Sequence, residues 1–273
     1  MGLDYKNIYL PVQALRDLCI DYVLSVEGIY EMANIESDTN DLSRNIVFVE
    51  ENDGRLNPGE IKKVDGKYEI NISLTFCQFM WAVALYTTTV FDNIVQIPAM
   101  NAAKTNIHGY KVNMQAVEYA NDSFFRARRL LESNWKKEFF FVIPNICDPQ
   151  EFEDEIGKAN AMMISGVAFI FAHELAHNIL GHTHAQEIPD QMVKDEIDAD
   201  NLAMAYLSDT FDTDEGYTNK AGIANLLCSI LLMGKDSVSG GGTHPHMDIR
   251  IDSMMKKWNC RKWMFFGGLW GMP

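Results

Sequence analysis

The segment that most constrains this chain is Ala161 to Gly181, AMMISGVAFIFAHELAHNILG. Ala161 to Ala172 carry no charge, so in water they must be buried on most sides. The apolar run nevertheless leads straight into His173, Glu174 and His177. Two histidines at i and i+4 share one face of a helix, where their ring nitrogens can converge on one cation. Glu174 is rotated about one hundred degrees from that axis, within reach of a water on the cation as a general base. A plain pair of core histidines would explain the rings but leave a carboxylate unpaired in the most apolar part of the chain, which is expensive. Gly181 reads as the residue that ends the helix.

HExxH leaves the third ligand open. The metzincin spacing HExxHxxGxxH would need glycine at position 180 and histidine at position 183, where the chain has Leu180 and Thr183. His182 and His184 fall in the turn beyond Gly181 and remain candidates. Pro189-Asp190 opens a following helix that carries Glu196, 19 residues after His177, and Asp200 one turn on. Ala199, Leu202 and Ala203 occupy its apolar positions. Glu196 is thus a candidate ligand, and Asp200 a candidate acceptor for the spare N–H of a liganding histidine. The competing view of both acids is a solvated helix face. Near the C-terminus, Gly240-Gly241-Gly242 forms a hinge before Thr243-His244-Pro245-His246. Pro245 suits a first helical turn. His244, with His246 as its competitor, is a candidate hydrogen-bond donor to a developing oxyanion, and an ordinary loop histidine is the plain alternative.

Periodicity predicts helices over Ala14–Met32, Phe76–Phe91 and Asn113–Leu131, and near residues 154–181, 190–208, 220–233 and 246–258. Strands are expected at Asn45–Glu50, on either side of the Asp65-Gly66 hairpin signal, and at Glu138–Ile143. Ile70 to Phe91 runs 22 residues without a charge, long enough to cross a bilayer. Asn71, Ser73, Thr75, Gln78 and Thr87-Thr88-Thr89 interrupt it and Trp81 sits at its centre, so a buried strand and helix is the better assignment. The expected fold is α+β and predominantly helical. One domain spans 1–273, with a mixed α/β portion over 1–150 and a helical metal-binding core over 154–258.

Charge narrows the function classes. The chain has 23 Lys+Arg against 38 Asp+Glu, a formal net charge of −15, which argues against a nucleic-acid surface. Residues 187–215 alone hold ten acids and one base, Lys194. The five cysteines form no CxxC pair, so neither a disulfide framework nor a thiolate zinc knot is expected. The first residues lack the pattern of a secretory signal, which leaves the cytosol as the expected compartment.

The three blocks HELAH (173–177), EIDAD (196–200) and HPHMDIR (244–250) together resemble gluzincin metallopeptidases of the HtpX and CAAX-prenyl-protease type. Those carry HExxH, then ExxAD, then HP with an arginine six residues after its histidine, here Arg250. The resemblance implies a zincin-like core in which His173, His177 and Glu196 bind Zn2+ and Glu174 is the general base. It also implies that Asp200 supports a ligand, His244 stabilises the tetrahedral intermediate, and Arg250 anchors the site. The flanking transmembrane helices of that family are missing, so membrane substrates are not expected. A soluble HExxH chain of this size is also similar to the phage-exclusion Lit-type peptidases, which cleave a cytosolic protein. The expectation is a cytoplasmic zinc endopeptidase acting on a protein or peptide through a metal-activated water. Its substrate strand would add to Glu138–Ile143 or Asn45–Glu50. The alternative class is a non-catalytic, zinc-stabilised interaction or sensor module; an intact Glu174, which metal binding does not need, speaks against it.

Overall fold

The computed structural model describes residues 11–29, 46–49, 57–64, 67–131, 152–182, 189–207, 214–233 and 247–258. The expected strand at Glu138–Ile143, the glycine hinge, and His184, His244 and His246 lie outside these residues. The architecture is a predominantly helical α+β fold. A 3₁₀ turn, Pro11–Leu15, leads into α1 (Arg16–Ser25). Strands β1 (Ile46–Val49), β2 (Gly59–Val64) and β3 (Lys67–Ser73) form one mixed sheet in the order β1-β3-β2. β1 runs parallel to β3, with Ile46 opposite Ile70. β2 runs antiparallel to β3 from Gly59 opposite Ile72 to Val64 opposite Lys67, the pair that flanks Asp65-Gly66.

The chain passes from β3 into α2 (Leu74–Val90) with no loop, because Ser73 ends the strand and caps the helix. Its Oγ accepts the N–H of Phe76 at 3.1 Å, satisfying one of the orphan donors of the first turn. α2 is buried along most of its length. Some of the polar groups that interrupt its apolar sequence find partners inside the protein, while the Thr75 and Thr89 hydroxyls are buried without one among the described residues. Trp81 Nε1 donates to Asn160 Oδ1 at 2.8 Å, Gln78 Oε1 accepts from the N–H of Val12 at 3.3 Å, and the Thr88 hydroxyl donates to the Ala84 carbonyl at 2.8 Å. Leu74–Ala102 and Glu153–Ile179 are each long and apolar enough to cross a membrane, and 78% of the apolar window of each is buried against the rest of the chain.

The helix expected to stop at Phe91 does not stop there. It widens into a π-helical stretch, Phe91–Gln96, and continues as α3 (Ile97–Ala102) with Pro98 in its first turn. Asp92-Asn93 reads as a helix end, but Asn93 is buried and bracketing. Its Nδ2 donates to the Thr89 carbonyl at 2.9 Å and its Oδ1 accepts the N–H of Asn113 at 2.6 Å. Asn113 in turn caps α4 (Met114–Arg128), accepting from the N–H of Ala116 at 3.1 Å.

The remaining helices are α5 (Glu153–Ile179), α6 (Pro189–Leu207), α7 (Asp214–Leu232) and α8 (Met247–Lys257). α7 begins at Asp214, six residues before the expected 220, because Asp214-Glu215 suit a helix first turn while Gly216 and Thr218 obscure the apolar period. α5 is the axis of the core, packed by α1, α2, α6, α7 and the sheet. Polar links fix these crossings: Asn219 Oδ1 accepts from both Ser165 (2.9 Å) and Tyr22 (2.6 Å), and Asn225 Nδ2 donates to the Met80 carbonyl at 3.0 Å. A helix held from so many sides is a rigid platform for the side chains at its C-terminal end.

Candidate metal centre

His173 and His177 lie one turn apart near the end of α5 and both are buried. Their Nε2 atoms face each other at 3.1 Å, with the rings nearly perpendicular. α6 returns antiparallel beside them. Glu196 reaches His173 Nε2 through Oε2 and His177 Nε2 through Oε1, each at 3.5 Å. One donor atom from each of the three side chains lies within 4.8 Å of the others, and all three residues are buried. A tetrahedral ion with bonds of about 2.0–2.1 Å holds its donors about 3.3–3.4 Å apart. The two Nε2 atoms at 3.1 Å lie close to that edge length, Glu196 turns a different oxygen to each ring at 3.5 Å, and two imidazoles with a carboxylate are a donor set able to hold a metal ion.

Behind this group lies a second layer of charge. Asp200 Oδ1 sits 3.0 Å from His173 Nδ1, at ion-pair distance. Arg250, from α8, grips the same carboxylate with a two-pronged fork: Nε donates to Oδ2 at 2.7 Å and Nη2 to Oδ1 at 2.6 Å. Arg250 Nη1 also lies 3.6 Å from Glu196 Oε2. Burial opposes charge on His173, Asp200 and Arg250, and each is overruled by its partners. Burial disfavours the imidazolium of His173, yet the carboxylates of Asp200 and Glu196 lift its pKa to about 10. Burial likewise opposes ionisation of Asp200, yet Arg250 and then His173 bring its pKa below the usual carboxylate value.

Glu174 is half-buried, on the side of α5 turned toward the sheet. β2 and β3 lie against α5, while β1 occupies the far edge of the sheet. Among the described strands, the one nearest Glu174 is therefore β2. The approach depends on Gly59. A Cβ there would stand 2.5 Å from Ile170 Cγ2 and 3.4 Å from Glu174 Cγ, so β2 would have to lift away from the helix. Gly59→Ala is expected to cost about 1–3 kcal/mol by overpacking. A chemical denaturation curve that superimposes on that of the wild type would refute this close fit.

The C-terminus of α5 closes in a Schellman motif with Gly181 in the left-handed region, at φ +66°. The N–H of His182 donates to the His177 carbonyl and that of Gly181 to the Asn178 carbonyl, both at 3.0 Å. The turn folds His182 back over His177, and their Nδ1 atoms lie 2.9 Å apart. His182 Nε2 is 3.6 Å from Asp195 Oδ1, which also accepts from Gln191 Nε2 at 2.6 Å. The pKa of His182 is lowered, by burial first and by His177 against the pull of Asp195. His182 thus meets the ring nitrogen of His177 that faces away from Glu196, so it stands outside the group of three donors. Spacing arguments that treat every histidine as a prospective ligand miss this position; the Gly-His sequence after the helix is the signal that could have revealed it.

Five of the residues singled out in the sequence, His173, His177, Glu196, Asp200 and Arg250, are brought together, and Glu174 borders them. Two imidazoles of an HExxH helix and a carboxylate from the next helix form a group that could hold a metal ion. The chain belongs to the Peptidase U49 family, which it matches over residues 70–268. This is the Lit-type kinship, and it extends into the 1–150 portion that motifs alone left unassigned. Comparison with curated proteins and with solved structures gave no match.

Proposed function

We propose that the chain is a zinc-dependent endopeptidase that hydrolyses a peptide bond of a protein substrate at this centre. The observation that carries the reading is the buried His173–His177–Glu196 group, whose three donor atoms lie within 4.8 Å of one another. Bound zinc would supply Lewis acidity there, polarising the scissile carbonyl and easing loss of a proton from water. Glu174 takes that proton as the water attacks and returns it to the leaving amine. Asp200 and Arg250 hold the His173 ring and keep its Nε2 lone pair turned to the donor group. His244 comes three residues before α8, the helix whose Arg250 reaches the centre, and is our candidate donor to the oxyanion. The substrate strand pairs along the outer edge of β2, beside Glu174.

Metal content and ligand identity test the reading together. Purified wild type is expected to carry about one zinc per chain by elemental analysis, as three protein ligands and one open position require. Glu196→Ala is expected to lose that zinc, and His184→Ala to retain it. Zinc retained in Glu196→Ala and lost in His184→Ala would replace the glutamate with a histidine as third ligand and sink the assignment.

A further inference from the structure

We infer that His182 and Asp195 form a positioning relay for His177, a counterpart to the hold that Asp200 has on His173. The inference rests on the metal centre proposed above. Two Nδ1 atoms 2.9 Å apart must share one proton, and it can belong to either ring. If His177 Nδ1 carries it, His177 Nε2 is left as a lone pair facing His173 and Glu196, as a ligand must be. If His182 Nδ1 carries it, the proton of a neutral His177 moves to Nε2 and points into the donor group, 3.1 Å from His173 Nε2. The first arrangement makes His182 Nδ1 an acceptor and places the His182 proton on Nε2. That nitrogen is the one facing Asp195 Oδ1 at 3.6 Å, where a carboxylate favours an N–H electrostatically. Asp195 is itself steadied by Gln191 one turn before it. One set of proton positions therefore satisfies both the His177–His182 and the His182–Asp195 contacts.

The backbone is built to deliver this contact. The Schellman bonds fix the turn, and the left-handed residue is a glycine, which adopts φ +66° without strain. α6 thereby supports both histidines, Asp200 acting on His173 directly and Asp195 acting on His177 through His182. His182 is a positioning residue in this scheme and not a ligand, because it meets the nitrogen of His177 opposite the donor group.

The test compares His182→Leu, His182→Asn and Asp195→Asn in the full chain. Zinc affinity is read by competition with a chromophoric chelator, and geometry by the visible spectrum of the cobalt-substituted protein. His182→Leu is expected to bind one zinc per chain at saturation but about 10–100-fold more weakly, with an altered cobalt spectrum. His182→Asn places an amide where Nδ1 stood, and is expected to recover affinity to within about threefold of the wild type. Asp195→Asn, on a partly exposed position, is expected to lose several-fold and leaves the helix cap untouched. Wild-type affinity in His182→Leu, or equal weakness in the Leu and Asn variants, would overturn the relay. Failure to bind zinc at any concentration in both His182 variants, with an unchanged metal-free unfolding midpoint, would make His182 a ligand and also overturn it. His173→Ala separates the two levels: zinc retained there refutes the centre itself, while zinc lost there but unchanged in His182→Leu refutes the relay alone.

Discussion

Glu174→Gln is expected to keep one zinc per chain and lose peptide cleavage by about 10²–10⁴-fold, the usual contribution of a positioned general base. The amide has nearly the shape of the carboxylate, so the packing of the Glu174 stem beside Gly59 is retained. The donor group does not include Glu174, so metal binding has no reason to change. What the amide lacks is a site that accepts the proton of the attacking water. The measurement is elemental zinc together with cleavage of proteins in cells expressing each form, read as new N-termini. Cleavage that survives in purified Glu174→Gln would refute the mechanism. Zinc in both forms with no cleavage in either would favour a zinc-stabilised interaction module.

Arg250→Leu is expected to destabilise the metal-free protein by about 3–5 kcal/mol, the cost of leaving one member of a buried pair without its partner. Asp200 is buried and loses both prongs of the guanidinium fork, and Glu196 loses its contact at 3.6 Å. His173 remains 3.0 Å away and can offset part of the lost charge, which sets the expectation toward the lower end of that range. Adding Asp200→Asn to Arg250→Leu removes the stranded charge and is expected to restore part of the loss. Denaturant unfolding of the three forms measures both effects. A loss below about 1 kcal/mol in Arg250→Leu would mean that the pair behaves as an exposed one.

Much of the fold was legible because it rests on local rules. The apolar run before His173 requires a buried helix, and α5 forms over Glu153–Ile179. The Asp65-Gly66 signal lies between two antiparallel strands. The polar residues within the uncharged stretch 70–91 argue for a protein interior, where Trp81 and Gln78 find partners. Where the expectations departed, a distant partner had changed the meaning of a local signal. Asn93 has the composition of a helix end but is held inside by the Asn113 backbone, 20 residues on, so the helix passes through a π-helical stretch. Which strand lies beside Glu174 is not legible locally, because any of several short strands satisfies a sequence pattern, while sheet order puts β2 and not β1 against α5.

For the candidate site the division is similar. The i, i+4 spacing of His173 and His177 follows from helix geometry, and Glu174 follows with it, so these three were determined by sequence alone. The Glu196–Asp200 spacing settled only that both acids share a face; that this face meets the histidines is decided by the antiparallel packing of α6 on α5. Arg250 came from a motif, but its fork on Asp200 joins residues 50 apart and exists only in the folded chain. His182 shows the limit most clearly. Its sequence offers a histidine after a helix-ending glycine, which is equally a ligand, a cap or a surface residue. Only the left-handed turn at Gly181 and the position of Asp195 direct its ring to the outer nitrogen of His177. Sequence determines which side chains share a helical face, because backbone geometry is local. Which faces meet depends on how helices cross, and that is decided by burial of the whole core at once.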